Sequence, residues 1–247
     1  MKKFSGVGVA LVTPFDETGR VDEHSLRNLV NYVIDGGVDY LVALGTTSEA
    51  ATMTAEERAF VVRVIAEENA GRLPIVLGIG GNNTEQVIHD LATLPYLQLG
   101  DAILSVTPYY NKPSQQGLYN HFKAIAEHTP LPVILYNVPG RTGVNMTAET
   151  TLRIAKDFQN VIAIKEASGN ITQMDDIIKN KPARFNVISG DDGITFPLMT
   201  LGAVGVISVI GNAFPREFSR MVRLALAGDY DSARTIHHSF TELFSLL

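Results

Sequence analysis

Apolar runs alternate with amphipathic segments from one end of the chain to the other. The apolar runs are Val7–Thr13, Tyr40–Leu44, Pro74–Ile79, Ala102–Val106, Pro132–Tyr136, Val161–Lys165, Asn186–Ser189 and Val204–Val209. They are short, rich in Val and Ile, and nearly continuous rather than alternating. Runs of that kind predict strands buried on both faces. Between them the spacing changes to the helical period. Leu26, Leu29, Val30 and Val33 follow a capping Asp22 and stop at Gly36-Gly37. Thr54-Ala55-Glu56-Glu57 is a capping-box pattern opening a helix through Asn69. Further helices are expected from Thr84, over Gln115–His128 after Ser114, over Thr147–Lys156 and Thr172–Lys179, up to Leu201, and from Pro215 to Ala227.

Eight strands, each followed by a helix, imply right-handed βαβ units and a parallel sheet. Eight such units in this length fit an α/β fold of the (β/α)8 TIM-barrel kind, with an open doubly wound sheet as the competitor if the short seventh run is not a strand. Residues 1–227 are read as the barrel. Residues 228–247 are read as the start of a C-terminal helical extension, cut short. Its apolar stripe (Ala233, Ile236, Phe240, Leu243, Leu247) runs to the last residue with no terminating signal, and must pack on the barrel, on another subunit or on further residues.

Composition removes several classes of function. The chain of 247 residues carries a formal net charge of −6 with scattered Lys and Arg, so there is no basic footprint for nucleic acid. With no cysteine, disulfides, thiolate catalysis and Cys-ligated zinc are excluded. Lys2-Lys3 before an apolar run mimics a signal peptide, but the run is short, contains Gly6 and Gly8, and reads as a first strand. No stretch reaches the roughly 18 apolar residues of a membrane span. A soluble, cytoplasmic protein is expected.

In a barrel of this kind chemistry sits at the C-terminal ends of the strands and in the loops that follow. That rule selects Thr46, Thr47, Tyr109, Tyr110, Tyr136, Arg141, Lys165, Gly190 and the Val204–Val209 run. Lys165 stands out because four apolar residues lead straight into it. Burial disfavours the charged ammonium and lowers its pKa, the usual activation of a Schiff-base lysine. The structural alternative is an ion pair with Glu166 or an exposed strand-end lysine. Tyr136 ends the neighbouring strand and can pass protons. Thr46-Thr47 offers hydroxyl and loop N–H groups that suit an anion. Arg141 offers a fork for a carboxylate.

Other chemistries fit less well. Gly78-Ile79-Gly80-Gly81 lacks the third glycine of a dinucleotide fingerprint. Asp191-Asp192 would repel a phosphate in the loop after the seventh strand. None of the six histidines lies at a strand end, which argues against a zinc site. The carboxylates form no pair at consecutive strand ends, which argues against a glycosidase.

Six motifs, in order and spacing over nearly the whole chain, resemble the dihydrodipicolinate synthase family. They are Gly45-Thr46-Thr47-Ser48-Glu49, Thr107-Pro108-Tyr109-Tyr110-Asn111-Lys112-Pro113, Tyr136-Asn137-Val138-Pro139-Gly140-Arg141-Thr142-Gly143, Ile164-Lys165-Glu166-Ala167-Ser168-Gly169, Ser189-Gly190-Asp191-Asp192 and Gly205-Val206-Ile207-Ser208-Val209. The resemblance implies a class I, Schiff-base aldolase of lysine and diaminopimelate biosynthesis. In it pyruvate would bond to Lys165, and the derived enamine would attack L-aspartate 4-semialdehyde. Tyr136 would be the proton donor and acceptor, in a relay with Thr46 and with Tyr110 from a neighbouring subunit of a homodimer or homotetramer. Thr47 and Ile207 would hold pyruvate, Gly190 would complete the substrate-binding set, and Arg141 would receive the semialdehyde carboxylate. No metal and no cofactor are implied.

The Arg-Thr-Gly after Val138-Pro139 separates this pattern from the similar N-acetylneuraminate lyases and 2-keto-3-deoxy sugar acid aldolases, which stay open as alternatives. A catalytically silent barrel that binds a keto acid is the non-enzyme alternative. Where lysine-inhibited members carry Ser and His, this chain has Ala50, Ala55 and Arg58, so the resemblance does not extend to lysine feedback.

Overall fold

A computed structural model describes residues 3–246. The first half of the chain runs β1 Gly6–Ala10, α1 Glu23–Asp35, β2 Tyr40–Ala43, α2 Ala55–Asn69, β3 Ile75–Gly78, α3 Thr84–Thr93, β4 Ala102–Val106, α4 Gln115–His128 and β5 Val133–Asn137. The second half runs α5 Pro139–Thr142, α6 Ala148–Asp157, β6 Val161–Glu166, α7 Ile171–Asn180, β7 Asn186–Ser189, α8 Thr195–Leu201, β8 Gly205–Ser208, α9 Pro215–Leu226, α10 Tyr230–Ser239 and α11 Thr241–Phe244. All strand pairs are parallel, and β8 pairs with β1. The barrel is closed and the seventh run is a strand, so the open-sheet alternative falls.

Closure depends on a close approach of two backbones. Gly6 pairs with Gly205 across the seam, and a β-carbon on Gly205 would lie 1.9 Å from the Gly6 carbonyl oxygen. Only a residue without a side chain fits there. The helices begin where the sequence signals them. Asp22, Thr54, Ser114 and Thr147 accept backbone N–H bonds at the starts of α1, α2, α4 and α6, and both halves of the Thr54/Glu57 box are formed.

Strand alternation divides the core in two. Val7, Val9, Leu41, Leu77, Ile103, Leu135, Ile164, Val187 and Val206 point outward and pack under the helices. Ala10, Val42, Val76, Leu104, Ile134, Tyr136, Ala163, Ile188 and Ile207 fill the barrel interior. Tyr40 and Phe4 meet edge-to-face in that interior cluster. Each fully buried aliphatic side chain adds about 1.5–3 kcal/mol of transfer free energy. The interior is therefore a packed core, open to chemistry only at the strand ends.

The C-terminal stripe packs on the barrel's own helices. Phe240 touches Phe214 and Phe218 edge-on, and Phe244 contacts Phe218 and His237. The single helix expected there is broken at Phe240 into α10 and α11. Leu247 lies outside the described residues.

Candidate active site

Alternation along β6 decides where the lysine goes. Ala163 faces the interior and Ile164 faces the helices, so Lys165 points inward and Glu166 outward. Register places Tyr136, Lys165 and Ile188 side by side at one level across β5, β6 and β7. Lys165 is only 6% exposed, and its Nζ stands 4.3 Å from the centre of the Tyr136 ring. Among the described residues Nζ has no hydrogen bond and no ion pair. Burial lowers the amine from its ordinary value to about 8, with the Asp192 charge pulling it up and the Arg141 charge pushing it down.

The structural alternative, an ion pair with Glu166, is overturned. That carboxylate accepts from Asn137 Nδ2 at 3.1 Å, Gln173 Nε2 at 3.0 Å and the Ser168 N–H at 2.9 Å, on the opposite side of the strand. Burial raises its pKa despite these bonds. Asn137 in turn accepts the Met146 N–H. This network ties β5 and β6 to α7 and fixes the strand end from which Tyr136 and Lys165 project.

The remaining groups come from three loops. After β2 the backbone takes a left-handed turn at Leu44 (φ 57°) and again at Glu49 (φ 60°). Between them Thr46–Ser48 form one tight turn, pinned by the Ser48 hydroxyl on the Gly45 carbonyl at 2.7 Å. Non-glycine residues in this region carry strain, which marks functional loops more often than ordinary ones. Thr46 is exposed at the rim and Thr47 half-buried. After β5, Pro139 starts the α5 turn, which presents Arg141 and ends on Gly143. The Tyr109–Asn111 loop is attached to both neighbours. Asn82 Nδ2 donates to the Tyr109 carbonyl, and the Tyr110 N–H donates to the Thr142 carbonyl.

A cavity of about 660 Å³ opens among these loops. Thr46, Tyr136 and Arg141 line it, with Tyr109, Val106 and Arg58. Burial pushes the Tyr136 phenol up, while the Thr46 hydroxyl and the Arg141 charge hold it down. Lys165 does not line the cavity, but its Nζ is 4.3 Å from the ring of Tyr136, which does. Gly190 follows β7, and a β-carbon there would lie 3.1 Å from the lysine Cε and Cγ and 2.7 Å from the Ala167 Cβ. A side chain at Gly190 would press on the lysine stem and on Ala167. Ile207 is buried in the interior cluster with Tyr136. Tyr110 is not drawn in. It is 89% exposed with φ 71°, and Tyr109 takes the place in the cavity wall.

One residue carries more than the sequence reading gave it. Asp192, given no role there beyond repelling phosphate and closing a motif, is buried, accepts from the N–H groups of Val209 and Ile210, and acts on Lys165 electrostatically. Its place two residues after Gly190, in the loop beside the lysine strand, was the available signal.

Fold and site together define a (β/α)8 protein with a buried, unpaired lysine at the C-terminal mouth of the sixth strand. The chain belongs to the dihydrodipicolinate synthetase family, whose model matches residues 3–247. It is 73% identical over 242 residues to the 4-hydroxy-tetrahydrodipicolinate synthase of Parabacteroides distasonis, covering 98% of this chain and 81% of that protein. The crystal structure of dihydrodipicolinate synthase from Aquifex aeolicus superposes with a TM-score of 0.93 at 42% identity, over 99% of this chain and 83% of that one. The chloride-inhibited dihydrodipicolinate synthase from Acinetobacter baumannii, solved with pyruvate, gives 0.94 at 42% identity, over 98% and 83%. No helix among the described residues is long and apolar enough to cross a membrane.

Proposed function

We propose that this chain is a 4-hydroxy-tetrahydrodipicolinate synthase that condenses pyruvate with L-aspartate 4-semialdehyde through a Schiff base on Lys165. The observation that carries the reading is the buried Lys165 amine, unpaired and 4.3 Å from the Tyr136 ring. An amine lowered to about 8 is neutral in roughly a tenth of molecules at pH 7, against about one in a few thousand for a free lysine. The neutral nitrogen adds to the C2 carbonyl of pyruvate, and the carbinolamine takes up a proton and loses water to give an iminium. Loss of a C3 proton gives the enamine, whose C3 attacks the aldehyde carbon of the semialdehyde. The product's own amine then displaces Lys165 as the ring closes.

Each proton step needs a group that both gives and takes, and Tyr136 is that group, with Thr46 beside it. Thr47, Ile207 and Gly190 are proposed to hold the keto acid against the lysine. Arg141, at the rim, is proposed to receive the semialdehyde carboxylate. The exposed Tyr110, on a strained backbone at the same mouth, is proposed to complete the relay of a second protomer. The catalytic unit on this reading is the barrel of residues 1–227, with the helices from 228 onward as an appended region.

Pyruvate followed by borohydride should add a lactyl-type mass to the Lys165 peptide, and an unmodified peptide would refute the Schiff base. Coupled assay of the condensation should show turnover; pyruvate release from N-acetylneuraminate in its place would reassign the second substrate. Arg141→Ala should raise KM for the semialdehyde about tenfold or more while leaving borohydride trapping intact. Equal loss of both would remove Arg141 from its role. For Tyr110, mixed assemblies of Tyr110→Phe and Lys165→Ala protomers should regain activity that neither has alone.

A further inference from the structure

Arg141 is exposed, and among the described residues its guanidinium has no hydrogen bond and no ion pair. Its position is therefore set by the backbone that carries it. That backbone leaves β5 through Val138, turns through α5 and Gly143, and returns along residues 144–147 to α6. The strand fixes the outgoing limb. The return limb needs an anchor of its own, because an error of about 1 Å in a positioned group can cost about a hundredfold in rate.

Two anchors meet that limb. On one side the Met146 N–H donates to Asn137, and the Asn145 and Gln173 amides exchange bonds of 2.8 and 3.2 Å. Asn137 and Gln173 belong to the network around Glu166, on the lysine strand. On the other side stands Gln115, the first residue of α4. Its Nε2 donates to the Asn145 carbonyl at 2.8 Å. Its Oε1 accepts from the Thr147 N–H at 3.1 Å, the Thr147 hydroxyl at 3.2 Å and the Thr150 hydroxyl at 2.7 Å. The carbonyl and the N–H fix which way this amide faces; a carboxylate could answer only the donors, and an apolar side chain neither. None of these bonds reaches β5 or β6. Gln115 also completes a seam between two loops. The Tyr110 N–H donates to the Thr142 carbonyl at 3.2 Å, and a β-carbon on Gly143 would lie 3.3 Å from the Lys112 Cε. Residues 110–115 thus run beside residues 142–150, with Gln115 as the side-chain lock at the base.

We propose that Gln115 is a positioning residue for the second substrate. It holds the return limb of the Arg141 loop, and through it the guanidinium that receives the semialdehyde carboxylate. This rests on the reading of Arg141 as the partner of that carboxylate. The claim separates the two substrates. Lys165 and Tyr136 stand on strands that Gln115 does not touch, so capture of pyruvate is independent of it.

Gln115→Met keeps the length of the side chain and removes every bond it makes. KM for the semialdehyde should rise about fivefold. Borohydride trapping of pyruvate at Lys165 should not move, and kcat should change less than about twofold. A merely structural role would instead lower the active fraction and leave KM where it is. In an Arg141→Ala background the same substitution should have no further effect, because the group it positions is gone. An unmoved KM, an equal rise in both backgrounds, a loss confined to kcat, or slowed trapping overturns the proposal. If Arg141→Ala by itself leaves that KM unmoved, the reading of Arg141 fails instead. Should Gln115→Met not fold, Gln115→Glu keeps the three bonds to Oε1 and sets an oxygen against the Asn145 carbonyl. The same split between KM and trapping is expected of it, and an unmoved KM there refutes the proposal.

Discussion

Lys165 and Glu166 are neighbours in one strand, both nearly inaccessible to water, and they differ in what surrounds them. Glu166 is met by three donors from Asn137, Gln173 and Ser168, which together hold it in one place. Lys165 meets an aromatic face and feels the charge of Asp192, and among the described residues no group accepts a hydrogen bond from it. Burial with partners makes Glu166 a structural clamp between the barrel and α7. Burial without them makes Lys165 expensive in its charged state, and therefore nucleophilic. Depth alone does not distinguish a clamp from a nucleophile; the inventory of donors and acceptors does.

The largest effect that could break this contrast comes from Lys165→Met. Trapping and turnover should vanish, while the fold becomes more stable. The unfolded lysine binds its proton up to about 10.5 and the folded one only to about 8. At neutral pH the protonated amine must be forced into the barrel, a penalty of roughly 3 kcal/mol. Between those two values the unfolded chain holds more protons, so native stability rises with pH, and below about 8 the full penalty applies. Urea unfolding at pH 7 should place the Met variant above the unaltered protein, and the gap should narrow toward pH 10. A Met variant less stable at pH 7 would mean that the lysine is held by bonds absent from this structure.

Tyr136→Phe is expected to be next in size. It keeps the aromatic face beside Nζ and removes the phenol, so kcat should fall by about 10²–10⁴-fold. Trapping should slow without losing its site. Single-turnover trapping against steady-state turnover separates the two. An unchanged kcat would move the proton relay elsewhere.

Much of this was legible in the sequence because the barrel forces it. Eight apolar runs at regular spacing leave few topologies, and a polar residue ending such a run lies at the mouth or pays heavily for being elsewhere. Lys165, Tyr136, Thr46 and Arg141 were found that way; Tyr136 and Lys165 share one level, and Thr46, Tyr136 and Arg141 share one cavity wall. What escaped depended on side-chain direction. A lysine followed by a glutamate leaves an ion pair open in one dimension, whereas the pleat puts the two on opposite faces. Asp192 sits in a loop, where no period predicts that a carboxylate turns inward to accept two N–H groups just past the next strand. The break at Phe240 escaped for a similar reason. The helical spacing continues through it, and the rings of Phe214 and Phe218 are brought against it only by the fold.

The smallest change sharpens the contrast from the other side. Glu166→Gln puts an amide nitrogen where only an oxygen is wanted, facing donors from Asn137, Gln173 and Ser168. One donor then points at another, and stability should fall by about 1–3 kcal/mol. Burial holds the native carboxyl above its ordinary value, so the folded state binds a proton that the unfolded chain has already released. Stability of the unaltered protein therefore falls as pH climbs from the unfolded carboxyl value to the raised folded one, and the Gln variant lacks that slope. This is the reverse of the lysine's slope, in a separate and more acidic window. The pH profile of Lys165 trapping should not move, because Glu166 faces away from the amine. Urea titrations across the acid range, run beside trapping profiles, measure both quantities. A shifted trapping profile in a folded Glu166→Gln protein would show that the clamp and the nucleophile are one coupled system, and the division drawn between the two faces of β6 would fail.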